Sequence, residues 1–168
     1  PPFTIDLAGL TATQAPVSLG KLVVDGVIRT AVLFLAASSS SGDDTVGWWV
    51  CTVLAEPDGH VGSADPSTCT GLAIPASNEP LIAEITPLGQ SGLATPSCSF
   101  GPLGNLDIAV TTTAVAAASV ETSDGTVLPM LGVAGTQAWP VHVFEAGIPA
   151  HQFVGGYLFS DASGRSIG

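Results

Sequence analysis

The sequence is short of charge, and shortest of positive charge. Only 10% of its 168 residues are Asp, Glu, Lys or Arg, against about 25% in an ordinary soluble domain. Lys21, Arg29 and Arg165 stand against 14 acids, so the net charge is −11. A surface this acidic repels phosphate backbones and anionic headgroups, which argues against nucleic acid and membrane surfaces as partners. Long apolar runs are missing as well. The best of them, Val27 to Ala37, contains Arg29 and falls short of the roughly 20 apolar residues that span a bilayer. No charged n-region precedes an apolar h-region, and the Pro1-Pro2 start reads as a processed end or a cut point in a linker. Room for helices is lacking too. The chain has 13 prolines and 20 glycines, which cost about 3 and about 1 kcal/mol each in a helix interior.

What is present suits a sheet protein. Hydrophobic residues make up 46% of the chain, enough to bury a core and too many for a disordered polymer. Asp25-Gly26, Asp58-Gly59 and Asp124-Gly125 each interrupt apolar runs, and Asp-Gly is the strongest short-range hairpin signal. Asp161-Ala-Ser-Gly164 is a further turn. Strands are expected at Leu22 to Val24, Val27 to Ala36, Val46 to Leu54 and Leu81 to Ile85. Others are expected at Leu106 to Val110, Val115 to Glu121, Thr126 to Leu128, Val141 to Phe144 and Phe153 to Phe159. The Ala-rich stretch Thr111 to Ser119 is assigned to strand, because its threonines and valines favour extended backbone. The expected fold is an all-β antiparallel β-sandwich, immunoglobulin-like or related, with little or no helix. Residues 1–168 are read as one domain, with a soft boundary in the Gly/Pro/Ser-rich interval 87–103.

Three cysteines support one bridge and leave one thiol over. Cys69 and Cys98 lie in Pro/Ser/Thr-rich turn contexts, whereas Cys51 sits inside a strand pattern. A Cys69–Cys98 disulfide is therefore expected, and with the depleted charge it points to an exported protein. The alternative is that all three are small buried hydrophobes.

Candidate chemistry is sparse. His60, His142 and His151 lack the His-x₃₋₅-His or Cys-x₂-Cys spacing of a zinc site. His142 and His151 would meet only if their strands formed a hairpin, with Glu145 between them. No Gly-x-Ser-x-Gly elbow marks a serine nucleophile. The Asp residues sit mainly at turns and are turn formers first. Calcium at Asp43-Asp44, or in the Asp58/Asp65 loop, has no supporting ligand spacing. No catalytic residue, cofactor or metal is expected.

Two features point to binding. Neighbouring strand residues face opposite ways, so Trp48 and Trp49 cannot share a layer. One belongs to the core, and the other meets solvent, a second layer or a partner; where exposed, it stacks on a sugar or anchors an interface. The plainer reading is a strand buried on both faces by loops. Edge strands normally carry lysine or inward charge to prevent pairing, and this chain has one lysine. The alternating Phe3-Thr4-Ile5-Asp6-Leu7 segment is then a candidate strand for donation to a neighbour, through Phe3, Ile5 and Leu7. Its plainer role is to complete its own sheet.

The C-terminal part carries a resemblance. It rests on Gly104-Asn-Leu-Asp-Ile-Ala-Val110, Val120-Glu-Thr-Ser-Asp-Gly-Thr126, Val141-His-Val-Phe144, Ile148-Pro149 and Tyr157-Leu-Phe-Ser-Asp-Ala-Ser-Gly-Arg-Ser-Ile167. Together these resemble exported actinobacterial domains of uncharacterised function, over about 70 residues, through motifs that are turn chemistry. The upstream Gly-Trp-Trp-Val50 strand is similar as well, although such domains are usually richer in arginine. The resemblance implies a β-sandwich-type extracytoplasmic domain and carries over no catalytic residue. The leading expectation is a non-enzymatic extracellular or cell-surface structural and interaction domain, able to self-assemble into a layer or filament. Behind it stand a carbohydrate- or protein-binding module centred on an exposed tryptophan, and then a hydrolase.

Overall fold

The computed structural model describes residues 4–6, 10–12, 15–24, 27–38, 47–55, 58–63, 69–72, 79–85, 98–99, 105–149 and 151–168. Every regular element among them is a strand. The first eight are β1 (Thr4–Asp6), β2 (Leu10–Ala12), β3 (Val17–Val24), β4 (Val27–Ser38), β5 (Gly47–Ala55), β6 (His60–Ser63), β7 (Cys69–Leu72) and β8 (Leu81–Ile85). The rest are β9 (Cys98–Ser99), β10 (Asn105–Thr111), β11 (Ala117–Thr122), β12 (Val127–Pro129), β13 (Leu131–Gly132), β14 (His142–Ile148), β15 (Val154–Ser160) and β16 (Ser166–Ile167). The protein is all-β, and no helix among the described residues is long and apolar enough to cross a membrane. Two compact units divide the chain: Pro1–Ala76 with Pro87–Cys98, and Ser77–Thr86 with Ser99–Gly168. Of the interval 87–103 read as a boundary, only Cys98 and Ser99 are among the described residues.

The first unit is one sheet in the order β1-β6-β5-β4-β3-β9, with β2 also on β4 and β7 also on β5. The pairing of β1 with β6 is parallel. Its heart is the antiparallel β4–β5 ladder, in which Phe34 faces Cys51 and Val32 faces Val53. The sequence there is a nearly continuous apolar run, the signature of strands covered on both sides. Burial agrees. Val32, Phe34, Ala36, Cys51 and Ala55 on one face, and Ala31, Leu33, Leu35 and Val50 on the other, are completely buried.

The second unit is a sandwich of two four-stranded sheets, β13-β14-β10-β8 and β12-β11-β15-β16. Ala109, Phe144, Ala146 and Ile148 of the first meet Ala118, Val120 and Phe159 of the second in one core, joined by Val115 and Met130. Period-2 alternation places these residues inward. One expectation fails here, because pairing is long-range. Residues 112–116 are a turn rather than strand, with Val115 N–H donating to the Thr112 carbonyl at 3.2 Å. That turn carries the chain from β10 in one sheet to β11 in the other, and this crossing overrides the extended preference of its residues. Strands β14 and β15 do not form a hairpin. They lie in different sheets.

Turn chemistry was the more reliable guide. The Asp25-Gly26 turn itself lies outside the described residues, yet Val24 opposes Val27 across it. At Asp124-Gly125, Asp124 Oδ1 accepts from Thr122 Oγ1 at 2.7 Å and from Thr126 N–H at 3.0 Å. At the last hairpin, Asp161 Oδ1 accepts the N–H groups of Ser163 and Arg165, and Oδ2 accepts from Arg165 Nη2 at 2.9 Å. The hydroxyl of Thr122 and that of Ser163, foremost, hold the two carboxyls below the usual range. Their contribution to stability is present above the unfolded carboxylate pKa and is lost as the pH falls below it. Gly125 has φ +83° and open space around its absent Cβ, so Gly125→Ala will cost about 1 kcal/mol from backbone strain alone. Gly132, equally open but without a positive φ, is the control. Thermal unfolding of both variants checks this.

Candidate functional site

The segment Val127-Leu-Pro-Met-Leu-Gly-Val133 is uncharged and occupies the edge of both sheets of the sandwich. Its backbone explains how. Met130 N–H donates to the Ala118 carbonyl in one sheet, and Val133 N–H to the Val143 carbonyl in the other, both at 2.9 Å. In an antiparallel ladder, successive residues direct their N–H and C=O to opposite sides. The Val127 amide, the Pro129 carbonyl and both polar groups of Gly132 therefore turn out of the sandwich. Met130, 6% exposed in the core, pins the crossing point. Val127 and Leu131 are 50% and 69% exposed. Proline inside an apolar run was the sequence signal for such an edge, since proline is confined to edge strands.

Around this edge the chemistry is acidic. Glu121 lies opposite Val127, and Glu145 lies opposite Leu131. Glu145 Oε2 is buried with no hydrogen-bond partner among the described residues, and desolvation holds this carboxyl above its usual range. Beside Gly132 and Val133 opens a cleft of about 270 Å³, also lined by Thr136, Gln137 and His142. His142 Nδ1 lies 2.6 Å from the Val115 carbonyl, so Nδ1 carries the proton and donates, leaving Nε2 as the acceptor of the neutral ring. Among the described residues, Phe153 and Leu158, 69% and 52% exposed, are the other large apolar residues at the surface of this unit.

Among the described residues, the interior holds one acid. Asp107 on β10 is 1% exposed, with Ala146 opposite it on β14. Its Oδ2 accepts from Tyr157 Oη at 2.8 Å, a side-chain bond joining β10 of one sheet to β15 of the other. Oδ1 is buried and has no partner among the described residues. Glu84, opposite Ala109 on the edge strand β8, lies on the same side of the sheet as Asp107 but is exposed. Burial pushes the Asp107 carboxyl up to about 7, opposed by the Tyr157 hydrogen bond and reinforced by Glu84. The Tyr157 hydroxyl is pushed far above its usual range, chiefly by burial and then by Asp107. An acid interrupting Leu106-Asp-Ile-Ala-Val110 was the available signal.

The residues singled out in the sequence fare variously. Trp49 is half-buried and packs on the core cluster of Phe34 and Cys51, so it is the core member of the pair. The side chain of Trp48 lies outside those described. Ile5 lies in β1, paired within its own sheet to β6, while Phe3 and Leu7 fall outside the described residues. The expected Cys69–Cys98 bridge needs correction, because Cys51 is disulfide-bonded and a Cys69–Cys98 pair would leave it no partner in this chain. His142 and His151 stand at opposite ends of β14, since no hairpin brings them together. Among the described residues no three His, Cys, Asp or Glu side chains converge as a metal site. Comparison with protein families, characterised proteins and solved structures finds no match.

Proposed function

We propose that this protein is a non-enzymatic, extracytoplasmic interaction domain that binds by strand addition along the Val127–Val133 edge. The observation that carries the reading is an uncharged, apolar edge shared by two sheets, with outward-turned backbone groups and 50–69% exposed side chains at Val127 and Leu131. Sheet edges of this kind pair with any extended strand unless charge or cover prevents it. Backbone hydrogen bonds supply affinity in strand addition, and pockets beside the edge supply selectivity. The cleft next to Gly132 is placed to be such a pocket. Extracytoplasmic residence is supported by the charge-poor composition and by the disulfide at Cys51. The non-enzymatic reading is supported by the use made of the acids: Asp124 and Asp161 hold turns, and Asp107 is sealed between sheets.

The test is selection of seven-residue peptides from a random display library, followed by hydrogen exchange on the complexes. Slowed exchange at the Val127 and Gly132 amides is the expected result. Protection confined to another surface would sink the reading.

A further inference from the structure

We infer that the occupant of this edge is an extended segment of a different protein in which apolar residues alternate with lysine or arginine. The inference rests on the strand-addition reading and names its partner class. Its ground is charge. Glu121 and Glu145 stand in register with the two exposed apolar residues of the edge, Val127 and Leu131. Glu145 Oε2 is a buried acceptor with no donor among the described residues. A strand laid outside β13 would lie about 10 Å from β14, a gap that the long stem of a lysine or arginine, passing over Leu131, and the Glu145 side chain span together. An ammonium or guanidinium group would then supply the missing donor. A second copy of this chain is a poor source of that charge. It has three strong bases against 14 acids, and one of them, Arg165, already pairs with Asp161 at 2.9 Å. Two copies would also bring together two chains of net charge −11.

The experiment titrates the intact protein with three synthetic seven-residue peptides. Valine alternates with lysine in one, with glutamine in the second and with glutamate in the third. The lysine peptide should bind about tenfold or more tightly than the glutamine peptide, and the glutamate peptide weakest. The preference should shrink as salt is raised and in Glu145→Gln. Gly132→Pro removes an outward N–H that the fold does not use, and should weaken the lysine peptide at least about tenfold. Gly132→Ala retains that N–H, meets nothing within 4 Å of its new Cβ, and should bind like the parent. Three outcomes overturn the inference. If lysine and glutamine peptides bind equally at the edge, strand addition stands and the basic partner falls. Equal binding of the lysine peptide to parent and Gly132→Pro would mean diffuse attraction to an acidic surface. A dimer in analytical ultracentrifugation that Gly132→Pro abolishes would make a second copy the occupant.

Discussion

Asp107→Asn will stabilise the protein at pH 8 and destabilise it by about 1–3 kcal/mol at pH 4, where there is no buried charge to remove. The wild-type carboxyl has its folded pKa raised to about 7, above its value in the unfolded chain. Below pH 4 the group is protonated in both states, and its contribution to stability is complete. Between pH 4 and 7 the unfolded chain ionises first, so stability falls with rising pH. Above pH 7 the loss is complete. Raising a carboxyl from its ordinary range to about 7 corresponds to roughly 4 kcal/mol. Asparagine carries no charge to bury, but its amide donors need partners, and an unmet buried donor costs about 1–3 kcal/mol. The expected net gain at pH 8 is therefore roughly 1–3 kcal/mol, read from urea unfolding at pH 4, 6 and 8. An unchanged pH profile in the variant would refute the buried-acid account. Tyr157→Phe probes the same group in the opposite direction. Tyrosine donates to the carboxylate and holds its pKa down, so its loss should move the fall in stability to higher pH. At pH 8 it should also cost about 1–3 kcal/mol.

Cys51→Ala will cost about 3 kcal/mol, whereas Cys98→Ser will cost little. Cys51 is disulfide-bonded, and the backbone register places it directly opposite Cys69 across the β5–β7 ladder. Facing residues in antiparallel strands have Cα atoms about 4.5–5.5 Å apart, within the range that disulfides span. The loop so closed has about 18 residues and restricts the unfolded chain by about 3 kcal/mol on the chain-entropy model. Cys98 sits on β9, at the β3 end of the same sheet, with four strand spacings between it and β7. Peptide mapping without reduction should recover a Cys51–Cys69 pair and a free Cys98 thiol. A Cys51–Cys98 peptide would show that the register misleads.

Legibility of the fold followed the range of the interactions involved. The Asp-Gly turns could be read because the whole device is contained in four or five residues: an acid accepting from N–H groups two to four positions on, and a glycine at positive φ. Strand β8 could be read to the residue for the same reason, as an apolar run between turn signals. Pairing could not. Ile148-Pro149 looks like the start of a hairpin, yet β14 and β15 part into different sheets, and with them His142 and His151. At the candidate site, the apolar run Val127 to Val133 was visible only as a short strand at its start. That it forms an edge twice over depends on Ala118 and Val143, which lie far from it in sequence. Asp107 was hidden by a similar ambiguity, because alternation says that Asp107 and Ala109 share a face but not that both faces of β10 are sealed.

The division of the chain between units bears on the order in which a ribosome would release it. Strand β8 belongs to the second unit, yet it is synthesised before residues 87–98, which complete the first. When β8 emerges, its partner β10 is still some twenty residues from being made. The strand must wait, unpaired, while the first unit closes around it in time. Synthesis and folding are thus interleaved, and a fragment begun at residue 99 would leave β10 with a bare flank where Ala83 and Ile85 belong.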